Sequence, residues 1–77
     1  MTNAEIYAFI MIYKEMNISK AAEKLFISQS SLSTRIKTLE RELGYQLFSR
    51  GKGRRKLTLT PEGEVFYKLA SEYKEIV

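Results

Sequence analysis

Leu32, Ile36, Leu39 and Leu43 recur at i, i+4, i+7 and i+11, so one apolar stripe runs down the segment from about residue 29 or 30 to residue 43. With successive residues about 100° apart around a helix, the opposite side belongs to Ser30, Ser33, Thr34, Lys37 and Arg41. That outward face carries no acidic residue, and near its start it has only small polar side chains. Ser28 is a good N-cap for this helix, and Gly44 stops it. A helix with a single core-facing stripe needs neighbours to cover it, and the flanking segments supply them.

Upstream, Thr2-Asn3-Ala4-Glu5 fits a capping box, and Ile6, Phe9, Ile10, Tyr13 and Met16 then fill one face of a first helix. Asn17-Ile18 breaks that pattern, and Ser19 is suited to cap a short second helix carrying Ala21, Ala22, Leu25 and Phe26. Two adjacent alanines let another helix axis come close, because no long side chain holds it off. Ile27-Ser28-Gln29 is a tight connection into the stripe-bearing third helix. Tyr7, Met11 and Lys14 occupy a second face of the first helix, and an apolar pair there is expected to meet the last helix of a partner subunit.

Beyond Gly44 the period changes from helical to alternating. Residues 46–50 read as one short strand and 56–60 as its partner, with Gly51-Lys52-Gly53-Arg54-Arg55 forming a basic turn between them. Thr60-Pro61 is a helix start, with a capping hydroxyl and proline at the first helical position. In the last helix Val65, Phe66, Leu69, Ala70, Tyr73, Ile76 and Val77 cover an arc of roughly 140°, wider than so small a core absorbs. Gly63 is expected to permit close packing there, since glycine otherwise costs a helix ~1 kcal/mol. Glu62 and Glu64 complement the dipole of that helix and need no catalytic role.

With 77 residues there is room for one small domain. The absence of cysteine excludes disulfides and thiolate metal sites, and the absence of histidine removes the commonest general base and metal ligand. No enzyme, cofactor or metal is therefore expected. No apolar run approaches the ~18 residues of a membrane span and no signal pattern opens the chain, so no membrane partner and a cytoplasmic location are expected. Charge is unevenly spread. Residues 28–60 hold eight bases (Arg35, Lys37, Arg41, Arg50, Lys52, Arg54, Arg55, Lys56) against two acids, whereas the rest holds five bases against seven acids. A concentrated positive field of this kind attracts polyanions.

Two helices joined by a tight turn and followed by a basic hairpin predict a mainly α winged helix-turn-helix, with three helices, a two-stranded wing and a C-terminal helix. An α-helix fits the major groove of B-DNA, and its N-terminal residues reach base edges. Gln29, Ser30, Ser33 and Thr34 stand there, with Lys37 in reach of a phosphate and Ser28 chiefly a cap. Lys52, Arg54 and Arg55 at the hairpin tip are suited to the sugar-phosphate backbone or the narrower minor groove.

Ser19-Lys20-Ala21-Ala22, Leu25, Ile27-Ser28-Gln29-Ser30, Leu32-Ser33, Ile36, Leu39-Glu40, Leu43-Gly44, Leu47-Phe48-Ser49-Arg50, Leu59-Thr60 and Gly63 together resemble the N-terminal domain of LysR-type transcriptional regulators. The resemblance covers nearly the whole chain. It implies a bacterial DNA-binding domain over residues 1–60 and the start of a linker and dimerisation helix over 61–77. It also implies DNA contacts from Ser28, Gln29, Ser30, Ser33, Thr34, Arg35, Lys37, Arg50, Lys52, Arg54 and Arg55. Many relatives carry a long basic or amide residue where Thr34 stands, so either Thr34 or its neighbour Arg35 takes the reading role. Dimerisation is expected through Tyr7, Met11, Phe66, Leu69, Tyr73 and Ile76. The partners implied are double-stranded DNA bearing an interrupted inverted repeat and a second copy of the chain, with a tetramer for the full-length parent. A small-molecule effector would act only through a downstream domain of two α/β lobes, so the chain is expected to be an excised or natural DNA-binding fragment.

Two other classes remain open on the residues alone. A winged-helix protein-interaction module would want an apolar or mixed-charge exposed face. A molybdate-responsive type of regulator would share this domain and differ downstream.

Overall fold

The structure, a computed structural model, describes the backbone of residues 1–50 and 57–76 and the side chains of 1–49 and 57–72. The basic turn residues Lys52, Arg54 and Arg55, and the side chains of Arg50, Tyr73 and Ile76, lie outside the described residues.

The first helix, α1 (Asn3–Glu15), opens on the expected capping box: the Glu5 amide donates to Thr2 Oγ1 and the Thr2 amide to Glu5 Oε1, both at 3.2 Å. It ends one residue earlier than its apolar pattern. Met16 is not on the buried face but at the C-cap, in the left-handed region with φ 48°, its amide bonded to Ile12 O. This reversal leaves no room for Ser19 as a cap. Asn17 takes that role for α2 (Ile18–Leu25), its Oδ1 accepting from the Lys20 amide at 2.9 Å, and Ser19 falls inside the first turn.

Phe26 is likewise not a core residue of α2. It sits at the left-handed position that ends the helix, with φ 59°, and is 93% exposed. The Phe26 amide donates to Glu23 O and the Ile27 amide to Ala22 O, a Schellman arrangement that satisfies the last carbonyls. The inward position passes to Ile27, which packs partly buried against the core. The third helix, α3 (Gln29–Leu43), then runs from Ser28 to the left-handed Gly44 at φ 86°, as its sequence predicts.

The core gathers around α1, which packs on α2 and α3 and, more lightly, on the last helix, α4 (Pro61–Ile76). Phe9 is its centre, with the Phe66 ring edge-on at 5.1 Å and the Phe48 ring tilted at 5.3 Å. Ala21 and Ala22 are buried, so the closeness of α2 is set by methyl groups. Leu32, Ile36 and Leu39 are buried and Leu43 partly so.

After Gly44 the chain forms an antiparallel pair, β1 (Phe48–Arg50) and β2 (Leu57–Leu59), in the register Phe48↔Leu59, Ser49↔Thr58, Arg50↔Leu57. These strands are shorter than the alternating pattern. Gln46 and Leu47 precede β1, because their carbonyls accept the Thr60 hydroxyl, and Leu47 O also accepts the Thr60 amide. Thr60 Oγ1 in turn caps α4 by accepting from the Gly63 amide at 2.9 Å. Gly63 is buried where a Cβ would lie 2.7 Å from Leu59 Cδ1 and closer still to Leu47 O, so glycine is required for this approach. Of the wide apolar arc on α4, Phe66 and Ala70 turn inward, whereas Val65 and Leu69 are 61% and 58% exposed.

Candidate nucleic-acid interface

The short connection through Phe26 and Ile27 presents the N-terminus of α3 at the surface. Ser28 Oγ accepts from the Ser31 amide at 3.1 Å and donates to Ser31 Oγ at 3.0 Å, so Ser28 is a cap in the first instance. Ser30 Oγ lies 3.2 Å from the same hydroxyl. Gln29, Ser30, Ser31, Thr34, Lys37 and Arg41 are exposed, and Ser33 and Arg35 are half-buried. The outward side of α3 is therefore a polar ridge. Arg35 stands on its flank and Thr34 in the open, which places Thr34 nearer the outermost line of the helix.

No acidic side chain occupies the first turn of α3, so beyond the Ser31 amide capped by Ser28 its positive dipole end is not offset by a carboxylate there. Both acids of the basic stretch are engaged elsewhere. Glu42 Oε1 is 2.7 Å from the Met1 ammonium, and this hydrogen bond raises that amino group above its ordinary value of 8.0. Glu40 Oε2 accepts from the Leu47 and Phe48 amides at 2.7 and 3.2 Å, tying the root of the hairpin to α3. Among the described residues neither Lys37 nor Arg41 has a carboxylate partner, so their charge faces outward.

Glu40, Gln46, Ser49 and Ser31 are not among the site residues expected from the sequence, although Glu40 and Ser49 belong to the motifs that carry the resemblance. Glu40 carries no local signal, because its partners are amides seven and eight residues onward, across the Gly44 turn. Ser49 and Gln46 join Ser33 and Lys37 only through the packing of the hairpin on α3, where all four line one cleft.

On the faces expected from the sequence to dimerise, the side chains divide. Tyr7 and Met11 are half-buried and pack against the core of their own chain. Phe66 is 5% exposed and held edge-on by Phe9, so it belongs to the core of its own chain and not to an exposed partner face. Leu69 is open, and Val65, one helical turn before it, adds to that surface. Among the described residues there is no group of three potential metal-ligating side chains and no helix long and apolar enough to cross a membrane.

A helix-turn-helix whose second helix lies exposed beside an antiparallel hairpin defines the winged helix-turn-helix class. Residues 4–64 match the bacterial regulatory helix-turn-helix protein family, lysR, and the chain belongs to that family. It is 50% identical over 64 residues to the transcriptional regulator BsdA of Bacillus subtilis, covering 83% of this chain and 22% of BsdA. It is 47% identical over 62 residues to BenM of Acinetobacter baylyi, covering 80% of this chain and 20% of BenM. The chain thus spans about a fifth of the length of these relatives. Its fold is similar to the BenM DNA-binding domain in complex with benA site 1 DNA, with a TM-score of 0.89 and 40% identity over 97% of this chain and 82% of that one. It is also similar to the CbnR DNA-binding domain in complex with DNA, with a TM-score of 0.90 and 29% identity over 99% of this chain and 85% of that one.

Proposed function

We propose that this chain binds double-stranded DNA in a sequence-specific manner, as the DNA-binding portion of a LysR-type bacterial transcriptional regulator. The observation that carries this is the exposed, acid-free ridge of α3 lying beside the hairpin in a fold shared with two DNA-bound relatives. Gln29, Ser30, Ser33 and Thr34 read base edges in a major groove, and Lys37 takes a phosphate. Lys52, Arg54 and Arg55, which lie between β1 and β2 in the sequence, follow the backbone or enter the minor groove.

The division of labour follows the chain. Residues 1–60 form the DNA-binding unit, and 61–77 begin the linker helix through which two copies pair. Val65 and Leu69 supply the exposed apolar surface that such pairing needs. The whole regulator assembles as a tetramer and senses a small molecule through residues beyond these. The chain works in the cytoplasm and performs no catalysis.

Selection of bound duplexes from a random pool, followed by footprinting of the winners, tests this. An interrupted inverted repeat is expected, because a two-fold dimer reads two half-sites. Recovery of unrelated sequences, protected equally along their length, would refute sequence-specific binding.

A further inference from the structure

Between α3 and the root of the hairpin the surface is indented by a half-open cleft of about 430 Å³. Ser33 and Lys37 of α3 line it from one side, and Ser49 of β1 from the other. The buried Ile36 and Phe48 add apolar atoms to the lining. Among the described residues that line it, Glu40 is the one anion, and its Oε2 already accepts two amide N–H groups. Those two N–H groups hold that oxygen at the root of the hairpin, while the Lys37 ammonium remains without a carboxylate partner among the described residues.

We propose that this cleft seats a single backbone phosphate of the duplex, with Lys37 Nζ and the hydroxyls of Ser33 and Ser49 as its ligands. The proposal rests on the DNA-binding function proposed above and extends it to Ser49. A duplex laid along the acid-free side of α3 and touching the hairpin has a strand that crosses from one element to the other, over the mouth of this cleft. A phosphate there meets one cation and two hydroxyl donors from opposite sides, and charge-assisted hydrogen bonds are roughly twice as strong as neutral ones. Apolar atoms of Ile36 and Phe48 suit the adjoining deoxyribose. Ser49 is held in place by its strand: its carbonyl accepts from Thr58 Oγ1 at 3.1 Å, and its Cα is paired with that of Thr58. A phosphate bound to both elements couples the angle of α3 to the position of the hairpin.

The test uses the 77-residue chain and a duplex recovered from the random pool, with single linkages replaced in turn by neutral methylphosphonate. In the wild type, one linkage in each half-site is expected to weaken binding about tenfold when neutralised. Ser49→Ala is expected to bind the unmodified duplex about three- to fivefold less tightly, as loss of one hydrogen bond allows. At the sensitive linkage Ser49→Ala loses little more, whereas its losses at other linkages match the wild type. Ser49→Thr keeps the hydroxyl and suits a strand, so it is expected to restore binding. An Ala variant that behaves as wild type at every linkage overturns the seat while leaving DNA binding intact. So does a Thr variant as weak as the Ala variant. A wild-type chain that binds no duplex overturns the DNA-binding function, and the seat with it.

Discussion

One carboxylate oxygen of Glu40 lies 2.7 Å from the backbone nitrogen of Leu47 and 3.2 Å from that of Phe48. A single side chain on α3 thus holds the start of β1, so the exposed helix and the hairpin keep one mutual orientation. Leu47 is wholly buried, so its amide has no alternative partner in water.

Replacing Glu40 tests that tie. Glu40→Ala leaves the Leu47 and Phe48 amides without an acceptor, at an expected cost of about 1–3 kcal/mol. Glu40→Gln retains an oxygen that accepts both and is expected to cost less than about 1 kcal/mol. Urea unfolding of the two variants separates the acceptor from its charge, and equal losses would show that the charge matters more.

Gly63→Ala is expected to reverse the usual sign of a helix substitution. Alanine is favoured over glycine by about 1 kcal/mol within a helix. Here the added methyl collides with Leu47 O and with Leu59 Cδ1 at 2.7 Å. Overpacking of this kind costs about 1–3 kcal/mol, so thermal unfolding of Gly63→Ala should fall below the wild type.

Phe26 combines two unfavourable features, a left-handed backbone and a ring that is 93% exposed. Asparagine and glycine tolerate that conformation with less strain. Phe26→Asn is expected to raise stability by about 0.5–1 kcal/mol, or several degrees in melting temperature for a domain of this size. A lower melting temperature would mean that the Phe26 ring makes a stabilising contact in solution.

Gln29 and Lys37 should differ in how they fail. Lys37→Gln is expected to weaken binding to all duplexes and to reduce the slope of log affinity against log salt by about one. Gln29→Ala should cost about 1–3 kcal/mol on the preferred sequence and little on others. Salt titrations against a selected and a scrambled duplex distinguish them, and identical behaviour would contradict the roles assigned.

Local signals were the legible part of this protein. The Thr2 capping box, Ser28 before α3, Gly44 after it and Thr60-Pro61 before α4 all act within three or four residues, and each stands where its residue type dictates. The apolar stripe of α3 was legible for the same reason, since periodicity along one helix needs no knowledge of its neighbours. At Met16 and Phe26 the apolar pattern continues past the helix end, whereas the chain must reverse there to pack α2 and α3 on α1, and the reversal at Met16 makes Asn17 rather than Ser19 the cap of α2.

The sequence by itself determined which segments become helices and strands, which face of α3 is free of acids, and that family membership would follow. Only the tertiary structure decided which half of the α4 arc is buried, because that depends on where the Phe9 ring meets Phe66. It also decided that Glu40 is spent on backbone amides and that Ser49 stands across a cleft from Lys37. Propensity and capping are settled by near neighbours in the chain. Contacts between residues seven or more apart exist only once the chain has closed on itself.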